Sequence, residues 1–404
     1  MRSAGFLVVS GLLAFSPFSW GQHVFDLINF SETGQLGISV KLGDNTRSFP
    51  YILDTGSAGF FTAKGTTSAW DDTILSPGTE AFHVSYGTGG LAYTGTMGHT
   101  KVTFQTSGGS SLTVHDVRLG VIHTVEGRPN WDANINHVNG EGHPDPIAPE
   151  TETSHQFFGT FGAGLFKTAT EGGNASSVIG QIPLAEGLTK GFVIHTGGRE
   201  SSSAKLTVGL TQEMMASFPI LIQMNPSTGV QTNSNGTTVN LYPEAQASAT
   251  YTIVKGDLSY QTVAQLILDT GGLGTHITTG SEIDPPAGLL AEGGESLIDG
   301  ASFSVDIEGT DYPGTETAAG DLDWTIDPTG PVLFENKVGV VTPTDPLQGS
   351  LNSGIALFYQ YDVMFDTENG LIGLRPVPEP GAFGLLGTAL AALGILRVRR
   401  KREG

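Results

Sequence analysis

The sequence predicts a mostly β protein that contains one internal duplication. Short apolar or alternating runs recur along the 404 residues, and Gly, Asn, Asp, Ser or Pro separates them. The chain has 57 Gly and 21 Pro without a collagen-like period, which is typical of many turns between short strands. One eight-residue segment also occurs twice, 215 residues apart, which indicates two related halves.

The strand-length runs follow one another along the whole chain, whereas helical patterns are few and short. The predicted strands are Leu36–Leu42, Phe49–Leu53, Phe82–Tyr86, Lys101–Phe104, Leu112–Leu119, Phe192–His195, Lys205–Val208, Ala249–Val254, Gln265–Leu268, Ser302–Ile307 and Val338–Val341. The predicted helices are Gln212–Ser217 and Ile355–Tyr361. Two polar stretches, Glu126–Gln156 and Asn225–Gly236, predict surface loops, and a boundary between halves is expected near 197–203.

Composition and charge exclude several classes of function. The chain carries 19 Lys and Arg against 40 Asp and Glu, a net charge of −21, whereas nucleic-acid binding needs a basic surface. The absence of Cys excludes disulfides, thiolate catalysis and Cys-ligated zinc. None of the ten His has the spacing of a metal-binding motif. We therefore expect neither a metal nor a cofactor.

The first 21 residues have the order of parts found in a secretory signal peptide. Arg2 supplies the positive charge, and a mostly apolar run extends from Gly5 to Phe18. Ser19 and Gly21 then fit a small-residue cleavage site before Gln22. The alternative is a short buried helix, but export is the prediction that accounts for the charge order.

The C-terminal end has three parts in a specific order. Pro378-Glu379-Pro380 precedes an apolar segment, 381–396, and a basic cluster that includes Arg399 and Arg400 follows it. This end resembles the PEP-CTERM sorting signal of Gram-negative bacteria. The resemblance implies export across the inner membrane, transient anchoring, cleavage by an exosortase-type enzyme, and a final place at the cell surface or outside the cell. A plain membrane anchor is the alternative, since the apolar segment is at the short end for a bilayer span.

The repeated segment is the strongest candidate for chemistry. Ile52–Gly59 and Ile267–Gly274 share six of eight residues, and each places Asp-Thr-Gly directly after an apolar run. If the two loops face each other, Asp54 and Asp269 come into contact and share one proton. Such a pair can deprotonate a water molecule while the protonated partner polarises a carbonyl group. This chemistry hydrolyses a peptide bond without metal or covalent intermediate.

With these loops and several segments in matching order, the chain resembles the pepsin-like aspartic proteases (family A1). Segment 34–54 is similar to the family's opening hairpin, 82–89 to its flap, 158–162 and 352–354 to the crossing segments, and 358–374 to the closing strands. The resemblance implies a bilobed fold of two β-barrel-like lobes with a cleft between them. It predicts an N-terminal lobe at 22–197, a C-terminal lobe at 198–376 and a sorting tail at 377–404.

The resemblance also implies a role for each matched residue. Asp54 and Asp269 would be the catalytic pair, and their loops would be locked by reciprocal hydrogen bonds between threonines. Ser57 would donate to Asp54, and the Tyr86 hairpin would close over an extended polypeptide substrate. The residues implied to support the pair are Thr55, Gly56, Ser57, Thr270 and Gly271, and those implied in the flap or substrate contact are Tyr86, Gly87, Thr88 and Phe61.

Four residues depart from the family pattern. Gly272 stands where the family usually has Ser or Thr, Phe61 where it often has Trp, and Asn352-Ser353 is more polar than the usual aliphatic pair. Because Gly272 offers no hydroxyl donor, we expect Asp269 to carry the shared proton and Asp54 to be ionised. The predicted function is a secreted, monomeric aspartic endopeptidase. A catalytically inactive binding protein on the same fold, or a structural matrix component, remains the alternative.

Overall fold

The computed structural model describes most of the chain between the two ends. It describes residues 21–30, 35–44, 47–63, 80–86, 91–126, 157–166, 177–199, 201–272, 274–278, 285–292, 294, 296–311, 320–326, 338–341 and 349–377. The predicted signal peptide up to residue 20, the tail from residue 378, the polar stretch 127–156, Gly87 and Thr88 lie outside the described residues. Within these ranges, no helix is long and apolar enough to span a bilayer.

Strands dominate the described chain, as the sequence predicts. The strands are β1 His23–Phe30, β2 Gln35–Leu42, β3 Phe49–Asp54, β4 Ala58–Ala63, β5 Ala81–Tyr86, β6 Leu91–Gln105, β7 Ser111–Glu126, β8 Gly159–Ala163, β9 Thr189–His195, β10 Lys205–Leu210, β11 Ile220–Gln223, β12 Gly229–Thr232, β13 Thr238–Leu241, β14 Ala247–Lys255, β15 Leu258–Ile267, β16 Thr275–Thr278, β17 Ser302–Ile307, β18 Leu322–Ile326, β19 Val338–Val341, β20 Ser350–Asn352, β21 Tyr361–Asp366 and β22 Leu371–Pro376. The two α-helices are α1 Gln212–Ala216 and α2 Ala356–Gln360.

Two large sheets organise the molecule. The first has the strand order β11-β22-β21-β9-β10-β1-β2-β3-β8-β4-β7-β6-β5, and the second has the order β18-β17-β14-β15-β20-β16-β19. The first sheet contains strands from both ends of the chain, since Val363 of β21 pairs with Ile194 of β9. The closing strands of the second half are therefore hydrogen-bonded to the first half. This pairing joins the two halves of the chain.

The two halves share one apolar core and add smaller ones. The main cluster contains fully buried side chains from both halves, such as Leu53, Phe161, Leu268 and Trp324. A second cluster lies under the β5–β6 hairpin and includes Phe61, together with Phe82, Tyr93 and Ile122. Burial of such side chains stabilises a fold by about 1.5–3 kcal/mol each. The strand that ends at each aspartate is thus anchored in the core.

The structure confirms the mostly β class and corrects several element boundaries. The two predicted helices are present, each shortened by a residue or two. The predicted strands 101–104 and 112–119 are parts of the long strands β6 and β7, because polar Thr and His residues continue the backbone pairing. The prediction of an uninterrupted loop at 225–236 is wrong. Residues 229–232 form the mostly exposed strand β12, which pairs with the half-buried strand β13.

Candidate active site

Both aspartates occupy the same place in their respective halves. Asp54 ends β3, which pairs in parallel with β8, so that Asp54 lies opposite Gly162. Asp269 follows β15, which pairs in parallel with β20, so that Ile267 lies opposite Asn352. Parallel pairing places the ends of both strands at the same edge. The duplication predicted from sequence is therefore present in the local topology.

Reciprocal hydrogen bonds between the threonines lock the two loops together. The backbone N–H of Thr55 donates to Thr270 Oγ1 at 3.1 Å, and that of Thr270 donates to Thr55 Oγ1 at 3.0 Å. Each hydroxyl then donates to a carbonyl of the opposite half: Thr55 to Leu268 at 2.7 Å, and Thr270 to Leu53 at 2.6 Å. Both threonines are buried. The lock inferred from family resemblance is thus formed in full.

Two glycines let the carboxyl groups approach. A Cβ added to Gly56 would lie 2.4 Å from Asp269 Cγ, and a Cβ added to Gly271 would lie 2.5 Å from Asp54 Cγ. The same glycines donate their N–H groups to the aspartate of their own loop, at 2.9 Å to Asp54 Oδ1 and 2.7 Å to Asp269 Oδ1. Each carboxyl group therefore lies against the backbone of the opposite loop, and the two face each other.

The hydrogen bonds around the pair are asymmetric. Asp269 accepts a second hydrogen bond, from Asn352 Nδ2 to its Oδ2 at 2.6 Å. Asp54 lies next to Ser57. The buried Ser57 hydroxyl is close enough to affect the pKa of Asp54, but within the described part of the chain it has no hydrogen-bond partner of ordinary geometry. Hydrogen bonds to a carboxylate favour its ionised form. The environment therefore favours ionisation of Asp269 over that of Asp54.

The proton affinity of Asp54 follows the same asymmetry. Burial, and then the negative charge of Asp269, raise the pKa of Asp54 well above its ordinary value. The nearby Ser57 hydroxyl and the Gly56 N–H lower that pKa by less. In place of the expected proton on Asp269, burial and the hydrogen bonds around the pair favour the proton on Asp54. The sequence-based argument considered the hydroxyl missing at Gly272 but not the amide supplied by Asn352.

The flap strand brings a tyrosine close to the pair. Tyr86 ends β5, opposite Leu91 of β6, and its ring packs on Tyr93 with centroids 4.9 Å apart. Burial raises the pKa of Tyr86, and the charges of Tyr93 and Asp54 raise it further. Its hydroxyl is buried without a hydrogen-bond partner among the described residues. Phe61 is fully buried beneath this hairpin, 5.0 Å from the Phe82 ring, so that it supports the flap from below.

Two polar residues near Asp269 carry little local signal in the sequence. Asn352 lies in a strand of three residues, and its polarity within an apolar segment was the only sign of a special role. Glu244 follows β13, in a loop whose Gln246 accepts the N–H of Leu268 at 2.7 Å. Burial of the carboxyl group, and then the charge of Asp269, raise the pKa of Glu244, although the residue reaches the surface.

A separate cavity of about 410 Å³ lies between β9 and the β12–β13 hairpin. Its lining includes neither aspartate. Two of its charged groups are already engaged, since Lys190 Nζ donates to Thr238 Oγ1 at 2.8 Å and Glu368 accepts the backbone N–H of Lys190 at 3.1 Å, and the third, Glu186, is exposed to solvent. Among the described residues, no group of three or more His, Asp or Glu is placed to hold a metal ion. The aspartate pair is accordingly the candidate site.

Comparison with known proteins supports the fold. No family model matches the chain, and no curated protein matches it. Among solved structures, it is similar to the crystal structure of aspartic proteinase from Irpex lacteus, with a TM-score of 0.50 and 15% identity. The alignment covers 88% of this chain and 97% of that one. With its mostly β sheets and duplicated aspartate loops, the chain therefore has the bilobed fold of the pepsin-like aspartic proteases.

Proposed function

We propose that this protein is an aspartic endopeptidase that hydrolyses peptide bonds in an extended polypeptide. The observation that carries the proposal is the contact between two carboxyl groups, Asp54 and Asp269, each held over the glycine of the opposite loop. Two carboxyl groups in such contact share one proton, which provides an acid and a base at one place. The threonine lock holds both groups in position before substrate binds.

The proposed reaction needs only this pair and a water molecule. Ionised Asp269 accepts a proton from water as the water oxygen attacks the carbonyl carbon, and Asp54 donates its proton to the carbonyl oxygen. The resulting tetrahedral diol then returns a proton from one hydroxyl to Asp54, while Asp269 gives its proton to the amide nitrogen. The C–N bond breaks, the amine leaves, and the pair returns to its initial state of one shared proton.

The flap hairpin supports an extended substrate in the same site. The Tyr86 hydroxyl lies close enough to Asp54 for the charge of that carboxylate to raise its pKa. Tyr86 is the last residue of β5, so this end of the β5–β6 hairpin lies beside the aspartate pair. Closure of a hairpin over a bound chain excludes water from the reacting groups and strengthens the electrostatic interactions among them. Gly87 and Thr88, the expected tip of this hairpin, remain predicted contacts of the substrate.

The test is cleavage of an unfolded protein by the full-length protein between pH 3 and pH 7. We expect cleavage that pepstatin blocks and that is lost in Asp54→Asn and in Asp269→Asn, because each variant removes one proton carrier. Asp257→Asn, in the exposed β14–β15 turn, is the matched control and should cleave normally. Cleavage that persists in both active-site variants would contradict the proposal.

A binding protein without catalytic activity is the second candidate, and Gly272 is the observation that favours it. The second loop lacks the hydroxyl that the family usually places beside the aspartate. In that case folded protein would cleave nothing at any pH, yet an extended peptide would bind, and Gly56→Ala would abolish the binding by filling the space between the loops. Cleavage by the wild-type protein, but not by the two aspartate variants, would exclude this candidate.

We also propose export and surface sorting, which the two ends of the chain support by their order of parts. The signal peptide would be removed before Gln22, and an exosortase-type enzyme would cleave near Pro378-Glu379-Pro380. Mass spectrometry of the protein recovered from a Gram-negative host that has such an enzyme would locate both ends. Recovery of an intact basic C-terminus would favour the plain membrane anchor instead.

A further inference from the structure

The duplicated sequence leaves open which aspartate would activate the water. Two equivalent loops would leave the shared proton on either carboxyl group. The proton affinities then belong to the pair as a whole, and a small difference in surroundings decides which oxygen keeps the proton. The inference below rests on the proposed function for its chemistry and on the hydrogen bonds around Asp269 for its geometry.

Donors to the two carboxyl groups are unequal. Both oxygens of Asp269 accept an N–H, from Gly271 at 2.7 Å and from Asn352 at 2.6 Å. Within the described part of the chain, the Asp54 carboxyl group accepts the N–H of Gly56 at 2.9 Å, while the nearby Ser57 hydroxyl has no hydrogen-bond partner of ordinary geometry. A charge-assisted hydrogen bond is worth roughly twice a neutral one. The additional amide donor therefore favours negative charge on Asp269.

The orientation of the Asn352 amide follows from its other contact. Its Oδ1 accepts the backbone N–H of Gly354 at 2.8 Å, and a backbone N–H can only donate. The oxygen of the amide must therefore face Gly354, which leaves the NH₂ group facing Asp269. Backbone pairing holds Asn352 between β15 and β16, opposite Ile267 and His276. The donor is fixed in place by strands on both sides.

The equivalent position in the first half does something different. By strand register, Thr160 of β8 lies opposite Ile52 as Asn352 of β20 lies opposite Ile267. The Thr160 hydroxyl lies 3.4 Å from the Tyr93 hydroxyl. Its side chain also lowers the pKa of Tyr86. One crossing strand thus supports the flap, while the other supplies a donor to its aspartate.

Gly272 and Asn352 compete for the same space. A Cβ added to Gly272 would lie 3.0 Å from Asp269 Oδ2 and 3.2 Å from Asn352 Oδ1. A Ser or Thr there would press on the present Asn352 amide, and its hydroxyl would be directed to the same carboxylate. A hydroxyl at position 272 and an amide at position 352 are therefore alternative donors to the same carboxylate, and this chain has the amide.

We propose that Asn352 is a positioning residue that replaces the hydroxyl missing at Gly272 and holds Asp269 as the ionised, water-activating member of the pair. Asp54 then retains the proton and acts as the acid toward the carbonyl oxygen. The raised pKa of Asp54 agrees with this assignment. Asn352 itself contacts Asp269 and no reacting atom, so that it acts through the carboxylate.

The first test replaces the donor and follows the pH profile. Asn352→Leu removes the hydrogen bond to the ionised form of Asp269, so the acidic limb of kcat/KM should move to higher pH by about one to two units. At pH values on that limb, kcat should fall about tenfold to hundredfold, while KM changes little. Asn352→Asp keeps the shape and the Gly354 contact but replaces the donor with a carboxyl group. It should move the limb in the same direction even if the leucine variant folds poorly.

A double variant tests directly whether a hydroxyl at position 272 can replace the amide at position 352 as the donor to Asp269. Gly272→Ser combined with Asn352→Leu supplies a hydroxyl where the amide was lost, and the acidic limb should return toward that of the wild type. Asn240→Leu is the matched control, because it removes another half-buried amide, one that donates to Thr367 O at 3.0 Å and not to an aspartate of the pair. A limb that does not move in Asn352→Leu and Asn352→Asp, or that moves equally in Asn240→Leu, would overturn the inference.

A readout independent of activity separates this inference from the proposed function. Aspartate labelled with ¹³C at the carboxyl carbon can be titrated by NMR, with Asp54→Asn and Asp269→Asn used to assign the pair. Asp269 should titrate at higher pH in Asn352→Leu than in the wild type, whether or not the protein cleaves peptides. A shift without any cleavage would sustain the role of Asn352 and refute the peptidase, whereas cleavage with unchanged titration would do the reverse.

Discussion

Replacing Thr270 with valine removes half of the lock between the loops and changes little else in shape. The Thr270 hydroxyl accepts the N–H of Thr55 at 3.1 Å and donates to Leu53 O at 2.6 Å, and the residue is fully buried. Valine leaves both backbone groups without that partner. An unsatisfied buried group costs about 1–3 kcal/mol, so we expect a loss of about 2–4 kcal/mol of unfolding free energy. That is a large share of the 5–15 kcal/mol typical of a folded domain.

Urea unfolding followed by tryptophan fluorescence measures this loss, since Trp324 is fully buried in the main core. Thr270→Ser is the control, because it keeps the hydroxyl and should lose less than half as much stability. Thr55→Val should resemble Thr270→Val, and the double variant should lose less than the sum, because the two residues share hydrogen bonds. Equal stability of the valine and serine variants at Thr270 would refute the reasoning.

Three further outcomes follow from the same geometry. Gly56→Ala should abolish cleavage and destabilise the fold by about 1–3 kcal/mol, because its Cβ would overlap the Asp269 carboxyl group, whereas Gly108→Ala, with open space around it, should be neutral in activity and urea unfolding. Tyr86→Phe removes a buried hydroxyl that has no hydrogen-bond partner among the described residues, so calorimetry should show no loss of stability without substrate, and a marked drop in Tm would contradict this. Because the pKa of Asp54 is raised above its ordinary 3.8, the folded state holds a proton that the unfolded state releases. Stability should therefore fall as pH rises from about 4 through the raised pKa, by at most about 1.4 kcal/mol per pH unit, and Asp54→Asn should flatten that slope.

Much of the fold was predictable because its signals are local. Alternating runs such as Phe49–Leu53 and Ser302–Ile307 have strand periodicity, and the structure has strands there. Strands such as β4, with every residue buried, and β12, with little apolar content, lack that periodicity. The partners of β4 are β7 and β8, which are distant in sequence. β12 pairs with the adjacent β13, but its exposed, mostly polar residues carry no apolar signal, and so the loop expected at 225–236 proved to contain half of a hairpin.

The candidate site was likewise predictable only in part. The repeated Asp-Thr-Gly predicted that two carboxyl groups meet, and the family resemblance implied the threonine lock and the supporting glycines, all of which are present in the structure. The roles expected for Asp54 and Asp269 considered only the hydroxyl missing at Gly272, whereas the hydrogen bonds of the structure favour the reverse assignment. The donor that decides the matter, Asn352, is 83 residues from Asp269 in the chain.

By itself, the sequence determined that this chain forms two related β halves, each with an aspartate at the end of a buried strand. Apolar periodicity depends on neighbouring residues, and an internal repeat depends on the likeness of two short segments, so both can be detected in the amino-acid sequence itself. Only the tertiary structure decided that the halves differ where the chemistry requires it, with Asn352 beside Asp269 and Thr160 directed to the flap tyrosines. The physical reason is that proton affinity depends on donors and charges within a few ångströms in space, and strand pairing, not sequence separation, brings them there.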